Sequence, residues 1–206
     1  MVTDLAQLAE QALRCRLCRD APAAGKHPLP HEPRPVLQVS STARILIAGQ
    51  APGVRVHASG KPFTDPSGDR LRDWMGISEG IFYDAAKLAI VPMGFCFPGL
   101  DANGGDLPPR TECAPRWRAG LMQAMPQVSL VLAIGMYAQN WHLGSARKKT
   151  LTESVRHWRD YHGLRPVSVI PMPHPSWRNT GWLKRNSWFE QELLPVLKAD
   201  VKTLVS

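Results

Sequence analysis

Four short apolar runs place the strongest constraint on how this chain folds. They occupy residues 44–48, 88–92, 128–134 and 166–172. Each is continuously apolar over a few residues, as expected of a strand that is buried on both faces of a sheet. Segments with helical patterns lie between and around them, at 3–19, 67–75, 111–125 and 188–198. The alternation predicts an α/β fold, a three-layer α/β/α sandwich around a central, mainly parallel four-stranded sheet.

Single residues predict where the helices begin and bend. Ser67 and Thr111 are placed to cap the second and third helices, and Pro195 should bend or interrupt the last one. The 206 residues contain no internal repeat and fit one domain spanning 1–206.

The net charge and the hydropathy narrow the choice of partners. A formal charge of +8 favours a polyanion such as DNA, although a solubilising surface would give the same total. No apolar stretch is long enough for a bilayer, and the first ten residues lack a signal-peptide pattern. We therefore expect a cytoplasmic protein with no membrane partner. We also expect a monomer.

The cysteines fall into two pairs. Cys15 and Cys18 form a C-x2-C motif, and the loop between Cys96 and Cys113 can bring those two sulfurs to one point. In a reducing compartment metal ligation explains such pairs better than disulfides do. Spacing does not separate zinc from an iron–sulfur cluster, because four thiolates serve both. Four unrelated buried cysteines, or a redox dithiol at Cys15 and Cys18, are the alternatives.

Two loops directly follow predicted strands. Residues 49–53 follow the first strand, and residues 174–176 follow the fourth. Ligands of such sheets bind at the carboxyl ends of the strands, so both loops should reach one cleft.

Several motifs, taken in chain order, carry a family resemblance. They are the C-x2-C pair, Gly49-Gln50-Ala51-Pro52-Gly53, Gly60-Lys61-Pro62-Phe63, the two later cysteines and His174-Pro175-Ser176. Together they resemble the iron–sulfur uracil-DNA glycosylases usually called family 4. The resemblance spans nearly the whole chain. It implies a monofunctional DNA glycosylase that flips a damaged or deaminated base, first of all uracil, out of DNA and hydrolyses its N-glycosidic bond.

The resemblance also implies a cofactor and roles for individual residues. Cys15, Cys18, Cys96 and Cys113 would hold a 4Fe–4S cluster, with zinc as the alternative metal. The catalytic candidates are His174, which would stabilise the departing base, Gln50 and Asp65. The base-contacting candidates are Ala51, Pro52, Gly53, His57, Phe63, Tyr83 and Ser176. The DNA-contacting candidates are Trp177, Arg178, Trp182, Lys184 and Arg185.

The first motif departs from the family pattern. Ala51 stands where the best-known glycosylases place a water-activating Asp, and Gln50 stands where family 4 usually has Glu. Asp65 is a candidate replacement for the missing carboxylate, and it is equally a candidate turn residue before Pro66.

The second departure concerns the residue that reads the base. The family uses an Asn shortly before the third cysteine, but residues 83–95 contain no Asn, and Pro92 stands near that position. Loss of this reader should relax or alter specificity. His57 and Tyr83 are possible substitutes for its polar contacts. A non-catalytic binder of damaged DNA is the alternative function that this loss favours.

Overall fold

A sheet of four parallel strands forms the centre of the molecule. The computed structural model describes residues 4–164 and 166–206. The strands are β1 (Ile45–Ala48), β2 (Leu88–Ile90), β3 (Leu130–Ile134) and β4 (Ser168–Met172). They are ordered β2-β1-β3-β4, and every neighbouring pair is parallel. The predicted four-stranded sheet is therefore confirmed.

Helices surround this sheet. In chain order they are α1 (Leu5–Leu13), α2 (Leu17–Asp20), α3 (Val54–Ser59), α4 (Pro66–Met75), α5 (Glu79–Phe82), α6 (Cys113–Gln123), α7 (Gly135–Leu143), α8 (Leu151–Arg156), α9 (Thr180–Arg185) and α10 (Leu194–Val205). Short 3-10 turns occupy Gly144–Ala146, Trp158–Asp160 and Trp177–Asn179, and a π-helical turn occupies Phe189–Leu193. No helix in the described part of the chain has the length and apolar character needed to cross a bilayer.

The strand side chains alternate between two buried layers. Ile45 and Ile47 pack into a core that contains residues of α4, α5, α8, α9 and α10. Leu46 and Ala48, on the opposite face, pack into a core that contains residues of α1, α6 and α7. Because successive strand residues point to opposite faces, fully apolar strands are the sequence signature of a sheet covered on both sides. The three-layer sandwich is thus confirmed.

The first predicted helix is divided in two. Instead of one helix over 3–19, of which residue 3 lies outside the described part of the chain, α1 ends at Leu13 and α2 begins at Leu17. The backbone N–H of Cys15 bonds to the Ala12 carbonyl, which closes the last turn of α1. The break places Cys15 between the helices and Cys18 inside α2.

Two predicted caps are wrong. Asp65, and not Ser67, caps α4, since its side chain accepts the Ser67 N–H at 3.3 Å. Thr111 does not cap α6, which begins at Cys113 without a side-chain cap. Aspartate is a strong capping residue, and proline at the next position already has a helical φ.

The last helix changes its form beside Pro195. A π-helical turn over Phe189–Leu193 passes directly into α10, and Pro195 lies in the first turn of α10. Proline has no N–H to donate to the preceding turn, so a wider turn upstream accommodates it. The predicted interruption near Pro195 is confirmed.

Candidate active site

A pocket of about 360 Å³ opens at the carboxyl ends of β1, β2 and β4. Residues 49–53 after β1, Pro92 after β2, and His174 and Ser176 after β4 all line it. Parallel strands end at one edge of a sheet, which brings together loops that are more than 120 residues apart in the sequence. The prediction that the two loops share one cleft is confirmed.

The hydrogen bonds of His174 fix which ring nitrogen carries the proton. The backbone N–H of Ser176 donates to Nδ1 of His174 at 3.2 Å. A backbone N–H only donates, so Nδ1 is an acceptor and Nε2 carries the proton of the neutral ring. Burial lowers the pKa of His174, while the charges of Asp65 and Asp106 act in the opposite direction. The neutral ring therefore has a donor available at Nε2 near pH 7.

Two side chains that the sequence analysis missed hold the His174 loop in place. Arg70 of α4 donates to the Ser176 carbonyl at 3.0 Å. Asn179 donates from its side-chain amide to the His174 carbonyl at 2.8 Å. Both donors come from elements outside the loop itself, and a loop fixed at its carbonyls presents its side chains in one orientation.

Phe63 has an unusual backbone beside the pocket. Its φ of 54° makes it the one non-glycine residue with positive φ in the part of the chain that the structure describes. The Tyr83 hydroxyl contacts its carbonyl oxygen at 3.2 Å and donates to that of Pro62 at 2.8 Å. A Cβ added to Gly68 would overlap the Phe63 carbonyl oxygen. Such conformations cost free energy and are enriched at functional sites.

Two carboxylates line the pocket together with His174. Asp65 lines it and also caps α4, so its turn-forming role is confirmed and its catalytic role stays a prediction. Asp106, which the sequence analysis did not single out, lines it from the loop after β2. That loop has neither helical nor alternating periodicity, so no pattern signalled Asp106.

Two of the predicted base-contacting residues lie outside the pocket lining. The ring of His57 packs against His31, with 4.3 Å between ring centroids, and against Phe97. Tyr83 supports the turn at Phe63 from behind through its hydroxyl. Their polar atoms are therefore not placed to read a base, although Ala51, Pro52, Gly53, Phe63 and Ser176 all line the pocket.

The comparison with known families matches the part of the chain that builds this pocket. A family model for the uracil DNA glycosylase superfamily matches residues 37–198. The chain belongs to the uracil DNA glycosylase superfamily. The matched range contains all four strands and every pocket loop described above, as well as Cys96 and Cys113, but not Cys15 and Cys18.

Superfamily membership makes DNA the expected partner, and the predicted DNA-contacting residues divide into three groups. Trp177 and Arg178 line the pocket mouth, and the Trp177 side chain is 73% exposed. Lys184 and Arg185 are exposed on α9. Trp182 instead packs against Trp188 and Phe189, and its indole N–H donates to the Thr152 hydroxyl at 2.8 Å. The structure thus gives Trp182 a packing role.

The wall of the pocket at Pro92 is held by a buried arginine. Arg118 is fully buried on α6 and donates to the carbonyl oxygens of Val91 and Pro92. It also donates to Nε2 of His142 at 2.6 Å. Burial and the neighbouring Arg118 charge lower the pKa of His142 to about 3, so the imidazole is a neutral acceptor. These bonds fix the end of β2 where it meets the pocket.

All four cysteines line a second cavity. Each thiol is free and partly buried, and Leu29, Phe95 and Trp117 add apolar walls. The Phe95 N–H donates to the Cys113 sulfur at 3.3 Å, and burial raises the pKa of Cys96 and Cys113 to about 12. Within 4–164 and 166–206, no three His, Cys, Asp or Glu side chains are grouped closely enough to hold a single metal ion. The four thiols nevertheless share one cavity.

Proposed function

We propose that this protein is a monofunctional DNA glycosylase that binds an extruded, deaminated base, with uracil the leading candidate, and hydrolyses its N-glycosidic bond. One observation carries the proposal. His174 and the Gln50–Gly53 loop line one pocket, and His174 keeps the proton of its neutral ring on Nε2. A pocket of about 360 Å³ is within the size range of small-molecule sites.

Cleavage of the N-glycosidic bond releases the base as an anion, which the pocket must stabilise. As the bond between C1′ and the base nitrogen breaks, its electron pair moves to the base and positive charge develops on the sugar. A donor aimed at a base carbonyl stabilises the developing anion, and Nε2–H of His174 is suited to this. A neutral ring is sufficient, since a hydrogen bond strengthens as its acceptor gains charge.

Phe63 is suited to hold the base by stacking. Its ring tip lies 3.6 Å from where a Cβ on Gly49 would be, so the ring extends over the end of β1 at the pocket. Stacking of a base on an aromatic ring is worth about 1–3 kcal/mol. The strained backbone at Phe63 supports a binding role, because ordinary core packing does not require it.

Trp177 and Arg178 are suited to engage the duplex around the extruded nucleotide. An indole that is 73% exposed beside a pocket is available to enter the base stack, and the Arg178 cation can contact a phosphate. The formal charge of +8 also attracts the negatively charged DNA backbone over a longer range.

The four thiols support the proposal of a 4Fe–4S cluster bound by Cys15, Cys18, Cys96 and Cys113. Four thiols around one partly apolar cavity supply the donor set of a 4Fe–4S cluster, and zinc remains the alternative metal for the same four thiolates. The N–H of Phe95 matches the hydrogen bonds that tune cluster sulfurs. When bound, the cluster would join the N-terminal helices to the segment after β2; the pocket residues carry out the cleavage.

A lesion-panel excision assay tests the proposed function. Protein purified without oxygen is incubated with single-stranded and duplex oligonucleotides that contain uracil, hypoxanthine or xanthine, and abasic sites are revealed by alkali. We expect cleavage of at least the uracil substrate in wild type and cleavage that is about 100- to 1000-fold slower in His174→Ala. Tight binding to abasic DNA without excision of any base would instead identify a non-catalytic damage binder, the alternative that the missing Asn favours.

A further inference from the structure

A small hairpin after β2 presents a carboxylate to the pocket. Leu100 and Asp106 form an isolated antiparallel bridge, and the Leu107 N–H donates to the Gly99 carbonyl at 2.9 Å. The Asp101 carboxylate closes the turn by accepting the N–H groups of Asn103 and Gly105 at 2.8 and 2.9 Å. We call residues 99–107 the acidic hairpin. Its internal bonds hold Asp106 at a defined position beside the pocket.

The Asp106 carboxylate lies against the first motif. A Cβ on Gly53 would be 3.4 Å from its Oδ2 atom, so a residue without a side chain leaves room for the carboxylate there. Across the pocket it interacts electrostatically with His174 and Arg178. Among the described residues its oxygens form no hydrogen bond or ion pair, and the residue remains open to solvent on one side.

Asp65, the other carboxylate that lines the pocket, is less available than Asp106 to accept a proton. One of its oxygens accepts the Ser67 N–H and caps α4. Movement of this carboxylate away from the Ser67 N–H would break the cap, which is typically worth about 1 kcal/mol. Within 4–164 and 166–206 the Asp106 carboxylate accepts no hydrogen bond that protonation would break, and the residue is exposed to water.

We propose that Asp106 is the catalytic carboxylate that activates the hydrolytic water, in place of the aspartate that Ala51 replaces in the first motif. This inference rests on the proposed glycosylase function. The water oxygen forms the new bond to C1′, one water proton passes to the Asp106 carboxylate, and the electron pair of the broken C1′–N bond leaves on the base. The proton then passes to solvent or to the base, which restores the ionised carboxylate. The ionised form also stabilises the positive charge that develops on the sugar.

The electrostatic surroundings of Asp106 agree with a base that is ionised at neutral pH. Burial on the pocket side raises its pKa, Arg178 lowers it, His174 lowers it only when the imidazole is protonated, and Asp65 and Asp101 raise it again. The net direction is upward, which makes the carboxylate a stronger proton acceptor than an exposed aspartate. Activity should therefore decrease as the pH falls through this raised pKa.

Single-turnover excision with saturating enzyme tests the assignment. At saturation the rate reports the chemical step and not DNA affinity. We expect Asp106→Asn to reduce this rate by about 100- to 10,000-fold, the usual contribution of a general base. Its affinity for abasic DNA should be maintained or increased, because a negative charge has been removed. Any residual activity should lack the acid limb of the wild-type pH profile.

Asp101→Asn is the matched control. It removes one charge from the same hairpin, also near Arg178, while an asparagine oxygen can still accept the turn N–H groups. We expect its rate to stay within a few-fold of wild type. Asp65→Asn should also keep its cap, and we expect a smaller loss than in Asp106→Asn.

The outcomes separate this inference from the function on which it depends. If wild type excises a base and Asp106→Asn does so at a similar rate, the assignment of Asp106 is wrong and the glycosylase function stands. A large loss in Asp65→Asn alone would transfer the role to Asp65. If wild type excises no base from any substrate, both proposals are overturned together.

Discussion

Arg70 donates a hydrogen bond to the carbonyl oxygen of Ser176 across 3.0 Å. The bond joins α4, which follows the Phe63 turn, to the loop that carries His174. Two segments whose positions must match within a fraction of an ångström are thus connected directly. The geometry of the pocket is consequently a property of α4 and the His174 loop together, and the substitutions below test each part of it.

Replacement of His174 should remove most of the catalytic power. We expect His174→Ala to slow single-turnover excision by about 100- to 1000-fold, the usual cost of losing one donor to a developing anion. Thermal stability and affinity for abasic DNA should change little, because among the described residues the ring makes a single hydrogen bond, which it accepts from the Ser176 N–H. Asn179→Ala, which releases the His174 carbonyl, should give a smaller loss. An unchanged rate in His174→Ala would show that His174 does not stabilise the departing base.

An amide side chain at position 92 should increase the specificity for one base. Pro92 lines the pocket near the position of the family's base-reading Asn and offers a base no N–H. We expect Pro92→Asn to raise the ratio of uracil to hypoxanthine excision, because a matched polar group penalises a base that lacks its complement. Pro92→Ala removes the ring without adding an amide and is the control. Equal ratios in the two variants would show that position 92 does not read the base.

Trp177 should contribute to duplex binding. We expect Trp177→Ala to weaken affinity for lesion-containing duplex by about 1–3 kcal/mol, roughly 5- to 150-fold, with a smaller effect on single strands. Trp141→Ala is a suitable control, since this tryptophan is 40% exposed on α7 and does not line the pocket. Fluorescence anisotropy measures both. Equal losses in the two variants would argue against a specific role for Trp177.

The cysteines should act as one set. Protein purified without oxygen should be brown, with iron and sulfide in similar amounts, and Ser at any one of the four positions should cause loss of colour and lower the melting temperature. A redox dithiol predicts a different result, in which only Cys15→Ser and Cys18→Ser have an effect and the protein is colourless. Colourless protein with one equivalent of zinc would support the alternative metal.

The buried Arg118–His142 contact should make stability depend on pH. The unfolded imidazole binds a proton near pH 6.5, whereas the folded one does so only near pH 3. Between these values the unfolded state holds the extra proton, so His142 makes the free energy of unfolding fall as the pH falls, by about 1.4 kcal/mol per pH unit. Glutamine at 142 can still accept from Arg118 and does not titrate.

Urea denaturation at several pH values checks this contribution. His142→Gln should show a shallower fall in stability than wild type between pH 6.5 and 3. His157→Gln is the control for the same replacement at an exposed histidine, at the end of α8. Parallel curves for wild type and His142→Gln would mean that His142 is protonated in the folded protein.

The sheet was predictable from the sequence because its strands are buried on both faces. Residues 130–134 are apolar without interruption, and the length of this run suits a strand better than a helix. The shared cleft followed from topology alone, since parallel strands end together. The break between α1 and α2 was not predictable, because the spacing of Leu5, Leu8 and Ala12 continues smoothly towards Cys15.

The pocket was predictable only where a motif directly follows a strand. Gln50–Gly53 and His174 follow β1 and β4, and both line the pocket. His57 was misplaced because α3 turns its ring away from the pocket, towards His31. Asp106 was missed because its position depends on bonds within the acidic hairpin, which composition does not reveal.

The contact between Gly68 and the Phe63 carbonyl restricts how this site can be redesigned. A side chain at 68 would displace the turn that orients the ring, whatever the chemistry of that side chain. An engineer who wishes to admit a larger lesion should therefore leave position 68 as glycine and vary the ring at 63 or the wall at 92. Substitutions at 63 and 92 would then change the size of base that the pocket accepts, and α4, which anchors the His174 loop, would stay undisturbed.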